Sequence, residues 1–534
     1  MLSTENVSLQ YGKRVLFDDV SIKFIPGNCY GLIGANGSGK STFLKILSGE
    51  IESTRGTIST GKNERIAVLK QNQFEFDDVT VLNTVLMGHR ALFTILSERD
   101  ALYAKPDFSD ADGMRSAELE DALSRMNGYD APQEAATLLN GLSIPEKLHE
   151  KKMGELDSPQ KVRVLLAQAL FGNPDILLLD EPTNNLDIET VEWLEDFLID
   201  FKNTVVVVSH DRHFLDRVCT HVADIDFGKI TMFTGNYSFW KQSSELALRQ
   251  RQEYNRKMEA KIEDLKEFIA RFSANASKSR QATSRRLTLD KITLEDIKPS
   301  SRKYPYVGFK ADREAGNIIL SVEGLSKKGV FKNVSFEVGA SHKIAFTSRN
   351  KLAVSALLAI LAGEEEATGG TITWGTTISK AFFPKDISPH FTSDMTIIDW
   401  LRQYTEQKDE QFIRQFLGRM LFSGDEPMKN ISVLSGGEKV RCMLARMMLV
   451  GANVLIFDDP TNHLDLESIS SLNDGMAQFK GNILFTSHDH ELMATVANRV
   501  IELGDGRILD KEVTYDEFLH TPEIKEQREK LYGE

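Results

Sequence analysis

Residues 34–42 decide the fold of this chain, and they read Gly34-Ala35-Asn36-Gly37-Ser38-Gly39-Lys40-Ser41-Thr42. The stretch follows the apolar run 30–33 and precedes an amphipathic helical pattern. In this strand–loop–helix context the pattern G-x-x-x-x-G-K-[ST] forms a phosphate-binding loop. Its glycines let backbone N–H groups surround phosphate oxygens at a helix N-terminus. We therefore expect an α/β nucleotide-binding domain in which Lys40 binds the β- and γ-phosphates and Ser41 binds Mg²⁺.

A second apolar strand, residues 176–179, ends in the two acids Asp180 and Glu181. Asp180 is the expected partner of Mg²⁺, and Glu181 is the expected group that polarises the attacking water. His210 follows another apolar run and is placed to bridge that water and the γ-phosphate. Gln71 is a further candidate for the metal and the water, and Tyr11 is a candidate for stacking on adenine.

The chain contains an internal repeat. Residues 180–187 read Asp-Glu-Pro-Thr-Asn-Asn-Leu-Asp, and residues 458–465 read Asp-Asp-Pro-Thr-Asn-His-Leu-Asp, an offset of 278. A repeat of this kind indicates two copies of one domain. The second copy also contains Ser435-Gly436-Gly437 at the start of a helical pattern. Small residues there would present bare N–H groups to a phosphate, so these three residues are candidates for nucleotide binding.

Composition limits the class of protein. A chain of 534 residues is too long for one hydrophobic core, and its 41% hydrophobic and 27% charged residues are typical of globular proteins. The three cysteines lie far apart, which excludes a disulfide scaffold. The N-terminus has no signal-peptide pattern, and no apolar run approaches the ~18–20 residues of a membrane helix. We therefore expect a cytoplasmic protein, and the net charge of −14 argues against general adhesion to nucleic acid.

Two segments fall outside the repeat. The first copy carries an insertion within about 89–134, whose charged helical pattern predicts a hairpin that is either a surface decoration or an interaction arm. Between the copies, the spacing of Met258, Ile262, Leu265, Ile269 and Phe272 predicts an amphipathic helix, suited to a two-helix hairpin. Residues 271–303 hold nine Lys and Arg against three acids. The candidates for binding RNA phosphates are Lys278, Arg280, Arg285 and Arg286.

The chain combines two copies of a nucleotide-binding domain, here called cassettes, with a Ser-Gly-Gly helix start and a cationic helical linker. This combination resembles the ABC-F translation factors, and within them the bacterial YbiT-type branch. The resemblance extends over essentially the whole chain. It implies two tandem ABC-type P-loop ATPase domains joined by a long α-helical hairpin, which hydrolyse ATP with Mg²⁺. It also implies a monomer whose two cassettes pair head to tail, with no membrane subunit. By the same resemblance, the linker would enter the ribosomal E site and act on tRNA in the P site.

The second copy departs from this pattern. Ser348 and Ala353 replace loop glycines, Val354 replaces the phosphate-binding lysine, Lys385 replaces the glutamine, and Asp459 replaces the catalytic glutamate. The Ser-Gly-Gly position of the first copy reads Asp157-Ser158-Pro159. Head-to-tail pairing would bring all these changes into one composite site. We therefore expect one complete ATP site and one degenerate site, the latter containing Ser355, Asp458, Asp459 and His488.

The predicted boundaries are 1–240 for the first domain, 241–316 for the linker, 317–520 for the second domain and 521–534 for a C-terminal tail. Two other classes stay open. A detached ATPase of a membrane transporter would need no cationic hairpin, and a DNA-maintenance ATPase would carry a coiled coil within a split cassette. The role in translation is also open between regulating elongation, relieving stalls and protecting the ribosome from antibiotics.

Overall fold

The computed structural model describes the chain except for residues 13, 63, 71, 185, 273–283, 285, 288, 290–301, 505 and 533–534. Within the described residues, the predicted α/β class and the two tandem domains are confirmed.

The first domain is built on a six-stranded sheet with the order β5-β6-β7-β3-β8-β9, in which only β9 is antiparallel. A three-stranded antiparallel sheet, β2-β1-β4, lies beside it. The central strands are nearly continuous apolar runs because they are buried on both faces. The strands are β1 Leu2–Tyr11, β2 Arg14–Phe24, β3 Cys29–Gly34, β4 Arg55–Ser59, β5 Ile66–Val68, β6 Ile176–Asp180, β7 Thr204–Val208, β8 His221–Asp226 and β9 Lys229–Thr234.

The helices of the first domain cover this sheet and form a helical region between β5 and β6. They are α1 Lys40–Leu47, α2 Val81–Leu86, α3 Arg90–Tyr103, α4 Asp110–Arg125, α5 Ala131–Gly141, α6 Ser158–Leu170, α7 Ile188–Asp200 and α8 Arg212–Val218. The insertion predicted within 89–134 contains α3 and α4. The base of this pair is part of the domain core, because Leu92, Leu96 and Leu123 are buried there. Its outer half contains the buried Leu102 and polar contacts such as the 2.8 Å ion pair between Arg115 and Glu98.

The second domain repeats the architecture, with sheet orders β14-β15-β16-β12-β17-β18 and β11-β10-β13. Its strands are β10 Ile318–Lys327, β11 Phe331–Gly339, β12 Lys343–Thr347, β13 Gly369–Trp374, β14 Lys380–Phe383, β15 Val454–Asp458, β16 Asn482–Thr486, β17 Arg499–Leu503 and β18 Ile508–Lys511. Its helices are α10 Lys351–Ala362, α11 Ile397–Arg402, α12 Glu410–Arg419, α13 Gly436–Leu449, α14 Leu466–Gln478, α15 His490–Val496, α16 Tyr515–His520 and α17 Pro522–Tyr532.

The linker begins with the helix α9, Tyr237–Phe272, which crosses the predicted boundary at residue 240 without a break. Its 36 residues span about 54 Å. Leu265 on the predicted apolar face is buried, whereas the neighbouring Asp264 and Lys266 are exposed. The second half of the predicted hairpin lies outside the described residues, as do Lys278, Arg280 and Arg285; Arg286 is described and is exposed.

The segment 521–534 is not a free tail in its described part. Helix α17 packs against the sheet of the second domain, with Ile524 and Leu531 buried. Arg528 forms a 2.6 Å ion pair with the buried Glu502, and the Tyr532 hydroxyl donates to the same carboxylate. The sequence does not reveal this packing, because the helix combines a polar composition with only two apolar anchors, Ile524 and Leu531.

The packing of α3 and α4 predicts that the outer half of this pair can be removed. Replacing residues 104–115 by a short Gly-Ser turn retains the buried Leu92, Leu96, Leu102 and Leu123, so we expect a folded protein whose melting temperature changes by less than about 5 °C. Calorimetry measures this change. The matched control, a deletion that also removes Leu92 and Leu123, should destabilise the domain by several kcal/mol, about 3 or more, because it opens the core. Loss of cooperative unfolding in the shorter deletion would show that the outer half is part of the core.

Candidate functional site

The phosphate-binding loop of the first domain joins the end of β3 to the start of α1. Gly37 and Gly39 have φ angles of 74° and 104°, in the left-handed region that favours glycine. Gly39 is the N-cap of α1, so the free N–H groups at the start of the helix face the space that the loop encloses. A Cβ atom at Gly34 would lie 2.7 Å from the Ser38 hydroxyl. The glycines therefore permit a cradle that side chains would fill.

Two features of this loop fit a bound phosphate. The Lys40 amine donates to the carbonyl oxygen of Gly34 at 2.8 Å, and burial lowers its pKa. The Ser38 hydroxyl is buried and has no hydrogen-bond partner among the described residues, so it is free to donate to a ligand oxygen. Ser41 and Asp180 line the same cavity and offer the oxygen ligands that Mg²⁺ prefers. The residues present thus fit both ATP phosphates and Mg²⁺.

The acids at the end of β6 lie at the floor of the cavity. Glu181 adopts φ 51°, and its amide donates to the Val208 carbonyl oxygen at 2.8 Å, which fixes the direction of its side chain. Its carboxylate lies 3.3 Å from Nε2 of His210 and accepts from the His210 amide at 3.2 Å. Burial raises the pKa of Glu181 to about 8 and lowers the pKa of His210 to about 4. Only the ionised carboxylate can take a proton from water, and with this pKa it becomes the major form above about pH 8.

The second domain closes the cavity from the opposite side. The cavity has a volume of ≈ 720 Å³, and both Gly436 and Gly437 line it together with the loop of the first domain. These glycines begin α13, whose N-cap is Ser435 in a capping box with Glu438. Three donors for an anion thus converge: the α1 N-terminus, the Lys40 amine and the α13 N-terminus. The candidate site is therefore composite.

His463 is a residue of this site that the sequence patterns did not single out. It lines the cavity, and a Cβ atom added at Gly436 would lie 3.2 Å from its ring, so it fixes the position of the α13 N-terminus. It belongs to the repeated stretch 458–465, and this repetition was the signal that could have identified it. Among the described residues predicted for this site, five do not line the cavity: Tyr11, Gly34, Ala35, Ser38 and Ser435. Tyr11 is 54% exposed at the end of β1, and Gln71 lies outside the described residues.

The corresponding loop of the second domain has a different backbone. Val354 aligns with Lys40, yet α10 begins at Lys351, one turn before α1 begins in the first domain. Ala353 takes the place of Gly39 and is helical, because a residue with a Cβ atom disfavours the left-handed conformation. The extra turn occupies residues that would otherwise form the cradle. Val354 is buried in the apolar core, where it offers no charge to a phosphate.

The acids of the second domain are paired with protein groups. Ser355 donates to Asp458 at 3.1 Å, and Asp459 lies 2.9 Å from Nε2 of His488 and 3.2 Å from the Lys385 amine. Burial acts to raise the pKa of Asp459, but His488 and Lys385 outweigh it and the pKa is lowered. Lys351 donates to the carbonyl oxygen of Leu186 in the first domain at 3.1 Å. Protein charges thus surround the acid on this side.

The two domains also contact each other between these sites. Arg212 of the first domain donates to the Leu466 carbonyl oxygen at 2.8 Å and forms a 3.3 Å ion pair with Glu491. The rings of His213 and His490 stack with centroids 4.2 Å apart. Both domains contain a Ser-His-Asp stretch, 209–211 and 487–489, and the side chains in these contacts come directly after it. The interface is therefore built largely from equivalent parts of the repeat.

Comparisons with known proteins agree with this geometry. The family model described as "ABC transporter" matches residues 17–184 and 331–462, and a second model with the same description matches 223–309. The chain is 59% identical over 540 residues to "Uncharacterized ABC transporter ATP-binding protein YkpA" of Bacillus subtilis (strain 168), covering 100% of each chain. It is 45% identical over 530 residues to "Probable ATP-binding protein YbiT" of Escherichia coli O157:H7, covering 98% of this chain and 100% of that one.

Among solved structures, the chain resembles an archaeal ribosome recycling factor, aABCE1, solved in complex with the ribosomal stalk protein aP1. The TM-score is 0.63 with 18% identity, covering 99% of each chain. A structure titled "RNase-L Inhibitor" gives the same TM-score with 17% identity. At this level of identity the likeness establishes the fold, namely two tandem cassettes in one chain.

The raised pKa of Glu181 predicts a pH-dependent turnover. Only the carboxylate can take a proton from water, so kcat/KM for ATP should rise with pH and reach half of its plateau near the pKa of about 8. Phosphate release measured between about pH 6 and pH 9 gives this profile. Residual activity of Glu181→Gln should lack the rise, because the amide does not titrate in this range. A flat profile for the unmodified protein would contradict the assignment of Glu181.

Proposed function

Because the chain belongs to the ABC-transporter family of ATP-binding proteins, and within it to the ABC-F proteins, we propose that its ATPase cycle drives binding to and release from the ribosome. The observation that carries this proposal is the anchoring of the linker at the domain interface. Arg302, at the return end of the linker, lies 2.6 Å from Asp224 of the first domain and 2.8 Å from Glu467 of the second. Its guanidinium group also stacks over Trp240 at the start of α9.

This anchor connects the linker to the nucleotide. Burial lowers the pKa of Lys40 and the charge of Glu467 acts to raise it, so the anchor acts electrostatically on an amine that lines the composite site. ATP between the α1 and α13 N-termini would hold the two domains together, and Arg302 would then bind both partners at once. Opening of the domains after hydrolysis would separate Asp224 from Glu467. The linker would therefore take a different position in the two states.

We assign the chemistry to one site. Glu181 would polarise the attacking water, His210 would hold that water against the γ-phosphate, and Lys40 would neutralise the phosphate oxygens. Mg²⁺, held by Ser41, Asp180 and the predicted Gln71, would supply charge neutralisation of the β- and γ-phosphates. The N–H groups at Gly436 and Gly437 would bind the γ-phosphate from the second domain. The site around Asp459 would not hydrolyse ATP, because its loop lacks both the cradle and the lysine.

The ribosome is the partner that the linker chemistry favours. Residues 271–303 carry nine cationic side chains in a chain of net charge −14, and a concentrated cationic segment binds the phosphates of RNA. By family resemblance, the linker would enter the E site and contact tRNA in the P site, and thereby regulate elongation or relieve stalls. The protein would act in the cytoplasm as a monomer with intramolecular pairing of its domains. No helix among the described residues is long and apolar enough to cross a membrane.

The assignment of one working site predicts an asymmetric effect of two equivalent substitutions. Glu181→Gln keeps the size and hydrogen bonding of the side chain but removes its charge, so ATP turnover should fall about 10²–10⁴-fold. Asp459→Asn, its matched control at the repeat-equivalent position, should change turnover by less than about twofold. Steady-state phosphate release measures both, and ATP binding should persist in both. Equal losses in the two variants would show that the second site also hydrolyses ATP.

The proposed partner predicts co-sedimentation. The Glu181→Gln protein with ATP should migrate with ribosomes in a sucrose gradient, because hydrolysis no longer releases it. Replacing Lys278, Arg280, Arg285 and Arg286 by Ala should weaken this binding and reduce its salt dependence, because fewer counterions are released. Basal ATP turnover should be unchanged.

A matched control removes four exposed lysines elsewhere, Lys62, Lys147, Lys151 and Lys332, and should retain ribosome binding. Absence of the Glu181→Gln protein from the ribosome fractions at low salt would refute the proposal. An equal loss of basal ATP turnover in the linker variant would instead assign the linker residues a structural role.

A further inference from the structure

The first domain contains a second large cavity, which shares helix α7 with the composite site: Val191 and Glu195 of this helix line the composite site, whereas Trp193 and Phe197 line the second cavity. It is a groove of ≈ 1000 Å³ between α5, the end of α6 and α7, which we call the α7 groove. Its floor includes three aromatic rings of α7 and the residue after it: Trp193 and Phe197 stack at 5.4 Å, and Phe197 and Phe201 lie 6.0 Å apart. All three rings are only half-buried. The groove therefore exposes an aromatic stripe on an otherwise polar helical surface.

The equivalent groove of the second domain is filled by the chain itself. The offset of 278 superposes α12, α13 and α14 on α5, α6 and α7 in sequence. The extended segment 304–312, where the linker enters the second domain, fills the groove between α12, the end of α13 and α14. The Tyr306 amide donates to the Arg419 carbonyl oxygen at 2.8 Å, and the Asp312 amide donates to that of Gly451 at 2.9 Å. Phe309 of this segment packs its ring against Phe479 at 6.3 Å.

These acceptors and rings have counterparts in the α7 groove. Arg419 corresponds to Gly141 at the end of α5, Gly451 corresponds to Asn173 beyond α6, and Phe479 corresponds to Phe201. The architecture that holds an extended peptide in one domain is thus present in the other. In the described part of the chain, no segment occupies it.

Two differences determine which peptide the α7 groove would accept. Gly475 allows close backbone approach in the second domain, since a Cβ atom there would lie 2.6 Å from the Val307 carbonyl oxygen. Phe197 takes this position in the first domain, so contact there must come from side chains that stack on its ring. An aromatic or long aliphatic side chain meets this requirement better than close backbone contact.

The second difference is charge. Four carboxylates, those of Asp130, Glu134, Asp196 and Asp200, line the α7 groove together with the amine of Lys202. Asp196 is paired with Arg217 at 2.8 Å and Glu134 accepts from the Gly172 amide at 3.0 Å, so Asp130 and Asp200 supply most of the charge that is open to a ligand. The residues of the second domain that correspond to Glu134 and Asp200 are the uncharged Phe412 and Gln478. Most of the negative charge of the groove is therefore specific to the first domain. A row of carboxylates repels the phosphates of RNA and attracts cationic side chains, which also stack on indole rings.

We propose that the α7 groove is a docking site for an extended, Lys- or Arg-bearing segment of a protein partner, with aromatic side chains that stack on Phe197 and Trp193. The proposal does not rest on the ribosome as partner, because the groove is defined by its shape, rings and charge alone. It assigns the first domain a protein-binding surface, whereas the cationic linker is the surface proposed for nucleic acid.

The test uses the full chain and a fluorescein-labelled peptide of residues 303–313, which reads Lys-Tyr-Pro-Tyr-Val-Gly-Phe-Lys-Ala-Asp-Arg. This peptide carries cationic and aromatic side chains. The groove of the second domain is already filled by the same segment of the chain itself. Fluorescence polarisation should show saturable binding. A charge-reversed peptide, with both lysines and the arginine replaced by Glu, should not bind.

Two variants locate the binding. Asp130→Asn with Asp200→Asn changes only exposed charges and should weaken binding about fivefold at low salt. Thr137→Arg places a long cation in the groove and should weaken binding at least about tenfold. The matched control is Gln415→Arg, the repeat-equivalent position in the second domain, which should bind as the unmodified protein does. Absence of saturable binding, equal binding of the charge-reversed peptide, or equal affinity of the groove variants would overturn the proposal.

Discussion

The structure of the composite site depends on the left-handed backbone at Gly37 and Gly39. These φ angles turn the chain so that α1 begins only at Lys40, and they leave an open cradle of N–H groups in front of the helix. The second domain shows the consequence of losing this constraint. With Ala353 at the equivalent position the helix starts at Lys351, and the extra turn replaces the cradle. One stereochemical property, the absence of a Cβ atom, therefore separates a phosphate site from an ordinary helix.

Loss of the cradle changes the electrostatics of the acids behind it. Burial of a carboxylate is costly, and in the first domain this cost outweighs the charge of Lys40 and appears as the raised pKa of Glu181. In the second domain Lys385 and His488 pair with Asp459 and lower its pKa. Lys385 stands where a glutamine is expected, so its substitution compensates the charge of Asp459. The second site is thus organised around internal ion pairs.

The features predictable from sequence are those set within a few residues. The loop 34–42, the acids Asp180 and Glu181, and the repeat with its altered second loop are local patterns, and the structure brings the first two together with Gly436 in one cavity. The features that were missed depend on contacts between distant parts of the chain. His463 enters the site from the other domain, and α17 is anchored by apolar contacts that its polar composition conceals. The exposed position of Tyr11 likewise results from where β1 ends in the sheet, which spacing does not specify.

Helix α13 explains how nucleotide and linker can be coupled mechanically. Its N-terminal residues, Gly436 and Gly437, face the composite site, while Met448 near its C-terminus accepts a hydrogen bond from the Gly308 amide of the linker at 3.1 Å. The two ends are about 20 Å apart on one rigid helix. A movement of α13 toward a phosphate therefore carries the end of the linker with it. Arg302 lies a few residues upstream and contacts both domains, so the linker is attached to the domain interface at one point and to α13 at another.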